Sequence, residues 1–403
     1  MIKVYLILRY KPPKMRYILV DIADRGNFYP FSLTQSLASL RVGIYTIQER
    51  WEQGLNETCG VYTADYLQVL FEGHSFLKNE DSLFFINITC IPTQAVIDQI
   101  NLLKDGEKLM SDSGKWIATK SKERAFQKIL LANFPPITFN EVTFIQDQLH
   151  LLALHAKWIE RDILWIKSKK QSQPIDSSNK VVHPENVFIE EGATVLCSNL
   201  NATEGPIYIG KEAIIMEGTS IRGPFVLGQK GVVKMNTSIY GATTIGPYCL
   251  AGGEIKNSVL LGYSNKGHEG YLGDSIVGHW CNIGAGTCNS NIKNTAGKVQ
   301  MWNEFKQEWV TVGQKMGMLM GDYSRFAIQS SINTGSYIGI SANIFGNGLL
   351  PKNLPNFTWG ILPGYQYEKA ISDINNWQKL KGFSLSEPEK SILKHLYTET
   401  QPN

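Results

Sequence analysis

Residues 209–246 read IGKEAIIMEGTSIRGPFVLGQKGVVKMNTSIYGATTIG. Three aliphatic-glycine pairs, Ile209-Gly210, Leu227-Gly228 and Ile245-Gly246, stand 18 residues apart. Met320-Gly321 and Ile338-Gly339 repeat that interval further on, and Val277 to Ile283 shows the underlying step of six. An aliphatic residue every six positions, grouped in threes, describes a triangular coil with one inward side chain per side. Glycine after the aliphatic residue suits a corner where the backbones of successive coils approach closely. Stacked coils bury a continuous apolar column. Residues 181–360 are therefore expected to form a left-handed parallel β-helix of hexapeptide repeats.

Two stretches interrupt the period. Leu261-Gly262 and Leu272-Gly273 are 11 apart, which reads as a loop, YSNKGHEG, inserted into the coil. A second break runs from about Asn289 to Met316 and carries two tryptophans. Insertions in a solenoid usually map to a functional face.

Upstream, strand and helix signals alternate, as in an α/β domain over residues 15–170. YILVD (17–21) and DSLFFINITC (81–90) read as buried strands. PTQAVIDQINLLK (92–104) reads as an amphipathic helix capped by Thr93, and LHLLALHAKWIERDILWIK (149–167) as a longer one in which His150 and His155 pack. The polar run up to residue 180 reads as a linker over 171–180. Residues 361–403 read as a helical tail, with helices over 367–381 and 387–397. Residues 1–14 read as an extension ahead of Met15.

The chain has 403 residues, 39 Lys and Arg against 36 Asp and Glu, and a net charge of +3. So even a balance argues against a nucleic-acid surface. No apolar run approaches the ~20 residues of a membrane span. The six cysteines form no CxxC pair and read as thiols of a cytoplasmic protein. A three-histidine zinc site is not favoured, because the repeat region offers only His268 and His279 besides His183 at its edge. His279, in GHWCN, reads as structural.

His268 lies between Gly267 and Gly270 in a polar setting. A neutral imidazole with a pKa near ~6.5 can act as a general base on an amine or hydroxyl. Lys266 and Lys256 could hold a phosphate or carboxylate. A surface histidine without a role is the other reading, and the residues alone leave both open.

EIKNSVLLGYSNKGHEGYLGDSIVGHWCNIGAGTCNSN (254–291) resembles the acetyltransferase domain of bifunctional UDP-N-acetylglucosamine diphosphorylase/glucosamine-1-phosphate N-acetyltransferases. The shared pattern is a lysine twelve residues before the histidine of a GHxxYLGD motif, then NIGAGT, then an asparagine. DIADRGNFYPFSLTQSLASLRVGIYTIQERWE (21–52), INITCIP (86–92) and MGDYSRFAIQSSINTGSYIGISANIFG (320–346) extend the resemblance to an alternative bacterial form of that enzyme. The resemblance implies acetyl-CoA-dependent N-acetylation of glucosamine 1-phosphate, coupled to uridylyl transfer from UTP with Mg²⁺. It implies His268 as general base, the Ala285 N–H as oxyanion donor, and Lys256, Tyr271 and Asn282 as sugar-phosphate ligands. Asn291, Gln329 and Gly346 would contact acetyl-CoA. Asp21, Arg25, Thr34, Arg41 and Asn87 would bind the nucleotide. A homotrimer with sites between neighbouring β-helices is implied as well.

The chain departs from the family pattern at several positions. Ile292 replaces a tyrosine, Tyr240 stands where an arginine is expected, Ile22 replaces an aspartate, and Gln35-Ser36 replaces Arg-Pro. The last two imply a weakened or lost uridylyltransferase half. The alternative is an acyltransferase on another aminosugar or sugar nucleotide, with a non-catalytic nucleotide-sugar-binding amino-terminal domain.

Overall fold

The computed structural model describes residues 16–71 and 81–400. The expected extension over 1–14 lies outside the described residues. Packing divides the chain into two compact units, one of residues up to Ile22 with Gln48–Ile145, the other of Ala23–Ile47 with Gln146 onward. This division differs from the one drawn from composition. The segment 23–47 and the helix Gln148–Lys167 pack with the repeat region instead of with the α/β sheet.

In the first unit the strands Tyr17–Val20, Cys59–Tyr62 and Leu83–Asn87 run parallel. Trp116–Ser121 lies antiparallel against Leu83–Asn87, and Glu107–Met110 and Pro136–Thr138 complete a six-stranded sheet. Ile18, Val20, Leu83, Phe85, Phe126 and Ile129 form a core on it. The helix Gln94–Leu102 begins where expected, with Thr93 Oγ1 accepting from the Val96 N–H at 3.3 Å.

In the second unit three sheets of nine, ten and six strands, parallel but for the last strand of the ten, make the sides of a left-handed β-helix. Ile209, Leu227 and Ile245 face inward in register, and Met320 and Ile338 continue the same side. The apolar period thus sets the core directly. The polar stretch before residue 180 is not a free tether. Gln173 donates through its N–H to the Ile189 carbonyl (2.8 Å) and through Nε2 to the Ala193 carbonyl (2.7 Å), closing the open end of the first coil. The second break is an antiparallel hairpin, Val299–Asn303 with Glu308–Gly313.

The helix Gln148–Lys167 lays Ile159, Ile163 and Ile166 on Phe188, Tyr208 and Val226 of the coils, with Ile44 in the same cluster. His155 is buried, its Nε2 2.7 Å from the Thr244 hydroxyl, as its packing role requires. The tail helices Tyr367–Lys379 and Glu387–Glu399 pack on the chain's own β-helix. Lys381 Nζ donates to the Tyr248 carbonyl (2.5 Å), and Phe383 sits edge-on to Tyr248, Tyr263 and Trp280.

The first break is not an insertion. Leu260, not Leu261, is the inward residue, and Leu260, Lys266 and Leu272 keep the step of six. Lys266 takes an inward position, so a scan for aliphatic residues skips it. The shortened part of the coil lies earlier, where the corner between Ala251 and Glu254 holds only Gly252 and Gly253.

Candidate active site

The corner after Lys266 carries His268, and the next coil turns the same corner through Gly284–Thr287. Later coils do so through Ala327–Ser330 and Phe345–Gly348, as the register Asn265, Asn282, Arg325, Asn343 requires. His268, Ala285, Gln329 and Gly346 therefore line one edge of the prism. His268 is exposed. The Glu269 carbonyl accepts from the Gly286 N–H (3.0 Å), and the Ala285 carbonyl from the Gln329 N–H (2.8 Å), so successive corners are tied together. Among the described residues no carbonyl accepts from the Ala285 N–H. A Cβ on Gly286 would collide with the Gln329 side chain, which lies directly over it. Gly346 is closed over by Ile361 and Leu350, near the end of the β-helix.

The sheet on one side of this edge holds Lys256 and Tyr271, and Asn291 lies against Tyr271. Lys256 pairs in register with Tyr240, and its Nζ lies 5.3 Å from the Tyr240 ring centroid. Tyr240 thus stands one coil before Lys256, at the place expected of an arginine. Its phenol donates to Glu254, and this bond, with burial, pushes it up to about 12. Tyr271 stands in register with Glu254. Asn291 Nδ2 donates to Tyr271 Oη (3.0 Å) and to Asp274 Oδ2 (2.5 Å), while Asn257 Nδ2 donates to Asp274 Oδ1 (2.6 Å). Burial, then the Asp274 carboxylate, pushes the Tyr271 phenol up to about 12, so it remains a proton donor at neutral pH. Asn291 is thus the clamp that orients Tyr271. Asp274 and Asn257, which complete the chain of hydrogen bonds, were not singled out from sequence, although Asp274 closes the YLGD motif.

Asn282 lies on the adjoining face, its Oδ1 3.5 Å from Asn265 Nδ2, with Arg325 next in the column. One chain therefore presents Lys256 and Tyr271 on one side of the edge and Asn282 on the other. Lys266 is buried and faces neither, so it is not a surface anion ligand.

Residues 17–171 match the sugar nucleotidyl transferase family. The chain is 30% identical to the bifunctional sugar-1-phosphate nucleotidylyltransferase/acetyltransferase of Sulfurisphaera tokodaii over 221 residues, 52% of each protein. It is 29% identical over 106 residues to the bifunctional protein GlmU of Methanocaldococcus jannaschii, 26% of each. Against GlmU of Methanococcus aeolicus it is 33% identical over 101 residues, 25% of this chain and 24% of the relative. The match thus spans between about a quarter and a half of the length of these relatives. A sugar nucleotidyl transferase domain is here joined to a parallel β-helix.

The nucleotide set named from sequence is divided between the two units. Asp21 and Asn87 belong to the α/β unit. Asp21 is buried at the end of the first strand, where its N–H donates to the Tyr62 carbonyl (3.1 Å). Asn87 Nδ2 donates to the Trp116 carbonyl (3.0 Å), and its Oδ1 accepts from the Thr89 N–H (3.0 Å) and hydroxyl (2.8 Å), so its amide shapes a turn. Arg25, Thr34 and Arg41 belong to the β-helix unit. Arg25 donates to the Ser32 carbonyl, Arg41 to the Ile44 carbonyl, and the Thr34 hydroxyl to Asp322 Oδ2 (2.7 Å). Among the described residues no three His, Cys, Asp or Glu side chains cluster as metal ligands, and no helix is long and apolar enough to cross a membrane.

Proposed function

We infer that the β-helix transfers the acetyl group of acetyl-CoA to the 2-amino group of glucosamine 1-phosphate. The observation that carries this is the shared edge: an exposed His268 one coil from an Ala285 N–H that no carbonyl of the described residues uses, with Lys256 and the un-ionised Tyr271 beside it. The His268 imidazole takes a proton from the substrate ammonium and releases it to solvent, and the free amine then attacks the thioester carbon. The Ala285 N–H donates to the oxyanion. The C–S bond breaks as the carbonyl re-forms. The amine's second proton passes through His268 to the departing thiolate, so the products are the amide and free coenzyme A. Lys256 and Tyr271 bind the phosphate. Asn282, on the adjoining face, is supplied by a neighbouring β-helix, so the working form is a homotrimer. The coenzyme runs along the edge past Gln329.

The amino-terminal domain we assign to uridylyl transfer from UTP, in weakened form. Mg²⁺ is commonly bound through one or two carboxylates together with substrate phosphates and water, and would supply charge neutralisation on those phosphates. Asp21 is the carboxylate present, Ile22 removes its expected neighbour, and the Thr34 hydroxyl is engaged by Asp322. The protein is read as cytoplasmic.

The test is thiol release from acetyl-CoA with a panel of aminosugars. Glucosamine 1-phosphate should be preferred, and His268→Ala should lower the rate by roughly 10²–10⁴-fold. Full turnover in that variant would sink the mechanism. Formation of UDP-N-acetylglucosamine from UTP and N-acetylglucosamine 1-phosphate with Mg²⁺ decides the other half, and robust turnover would refute its weakening.

A further inference from the structure

One side of the β-helix core is a column of inward residues running Val195, Ile215, Val233, Ala251, Lys266, Ile283, Phe326, Ile344. Seven are apolar and one is a lysine, and that lysine is fully buried. A buried ammonium is costly unless its N–H groups find acceptors. Lys266 Nζ finds three carbonyls: His268 (2.5 Å), Glu269 (3.3 Å) and Gly252 (3.3 Å). Two of these belong to the His268 corner and the third to the shortened corner one coil earlier.

The neighbouring backbone explains why the lysine is needed. Gly252 and Gly253 bring the earlier corner so close that a Cβ on Gly252 would lie 2.8 Å from the Gly267 carbonyl, and one on Gly253 2.8 Å from the His268 carbonyl. At this contact the His268 and Glu269 carbonyls reach the Lys266 ammonium, although the Glu269 carbonyl also accepts from the Gly286 N–H. Of the charged or titratable groups around it, Glu269 lies on the same corner and Cys288 on the next coil, while Lys234 lies over Gly267 from an earlier one.

We propose that Lys266 is a positioning residue, which holds the backbone of the His268 corner from inside the β-helix and so keeps the imidazole at the edge. The catalytic consequence rests on the reading of His268 as general base; the mechanical claim does not. The lysine occupies a core position where a methionine would pack, so its contribution is local ordering of one corner and not stability of the coil. A misplacement of about 1 Å in a catalytic group can lower a rate by ~10²-fold.

The test compares wild type, Lys266→Met and Lys266→Arg by amide hydrogen exchange, thermal unfolding and thiol release. In Lys266→Met, protection of the Gly286 and Glu254 amides, which donate to Glu269 and Gly270, should fall at least about tenfold while the melting temperature is not lowered. The kcat for thiol release should fall about 10- to 100-fold, with both KM values within about threefold. Lys266→Arg, which keeps donors for the carbonyls, should retain most of the protection. Unchanged protection in Lys266→Met, loosening with unaltered kcat, or loss of the whole β-helix would each overturn the proposal. If wild type releases no thiol with any aminosugar, the functional reading fails, and the exchange data still decide whether the lysine holds the corner.

Discussion

The Thr34 hydroxyl donates to Asp322 Oδ2 at 2.7 Å, joining two residues 288 positions apart. Both are buried, and Asp322 Oδ1 accepts from the His279 N–H at 2.7 Å. The segment around Thr34 is thereby fastened to the β-helix by a carboxylate buried from solvent. Thr34→Val keeps the shape and deletes the donor. A buried acceptor left unmatched costs about 1–3 kcal/mol, so the stability of the β-helix unit in denaturant should fall by that amount. A loss under about 0.3 kcal/mol would show the bond to be dispensable.

Tyr271→Phe removes a phenol held by Asn291. A hydrogen bond to a charged group contributes about 1.5–3 kcal/mol, so KM for the sugar phosphate should rise on the order of 10- to 100-fold. Because burial and Asp274 push the phenol up to about 12, wild-type KM should show no phenol titration up to pH 9.5. A rise in KM below that pH in wild type, absent in Tyr271→Phe, would contradict the assignment.

Gly253 adopts φ +78°, and a Cβ there would press on the carbonyls of His268 and Gly270 at 2.8 and 2.7 Å. Gly253→Ala should displace the His268 corner and lower kcat at least about tenfold with the fold retained. Circular dichroism and thiol release measured together check this, and a fully active variant would mean that the corner tolerates the shift.

Burial pushes the Lys266 ammonium from 10.5 down to about 8, against the opposing influence of Cys288 and Glu269. Between those values the unfolded chain holds a proton that the folded chain has released, so folding gains stability as pH rises. The gain amounts to on the order of 2–3 kcal/mol. The stability of wild type relative to Lys266→Met should therefore climb between pH 8 and 10.5, while falling back to a plateau below pH 8. A pH-independent difference in chemical denaturation would mean that the lysine is not desolvated.

Phe383 meets the stacked Tyr248, Tyr263 and Trp280 rings at centroid distances of 5.7, 5.2 and 5.6 Å. It is 37% exposed, so Phe383→Ala should cost less than a core phenylalanine, about 1–2 kcal/mol. Limited proteolysis should then release the tail helices before the β-helix is cut. Simultaneous loss of both would show that the tail is integral to the coil.

Much of the β-helix was legible because its core is written locally. Successive inward residues are six apart, so Ile209, Leu227 and Ile245 announce the coil without any distant contact. Helix ends were legible for the same reason, as with Thr93 capping Val96. The motif around His268 could be read, but its setting could not. An aliphatic search passes over Lys266 and turns the even step from Leu260 to Leu272 into an apparent insertion, although counting back six from Leu272 lands on the lysine.

What the sequence by itself determined is the repeat and the outline of the α/β sheet. Tertiary structure decided that Lys266 points inward, that Asn282 and Tyr271 lie on different faces, and that Thr34 answers to Asp322. The reason is the range of the interactions. Period and caps are set within six residues or fewer, whereas a buried polar group takes whatever partner packing brings to it: the Thr34 hydroxyl meets a carboxylate 288 positions away, and the Lys266 ammonium takes the Gly252 carbonyl of the preceding coil beside two of its own corner.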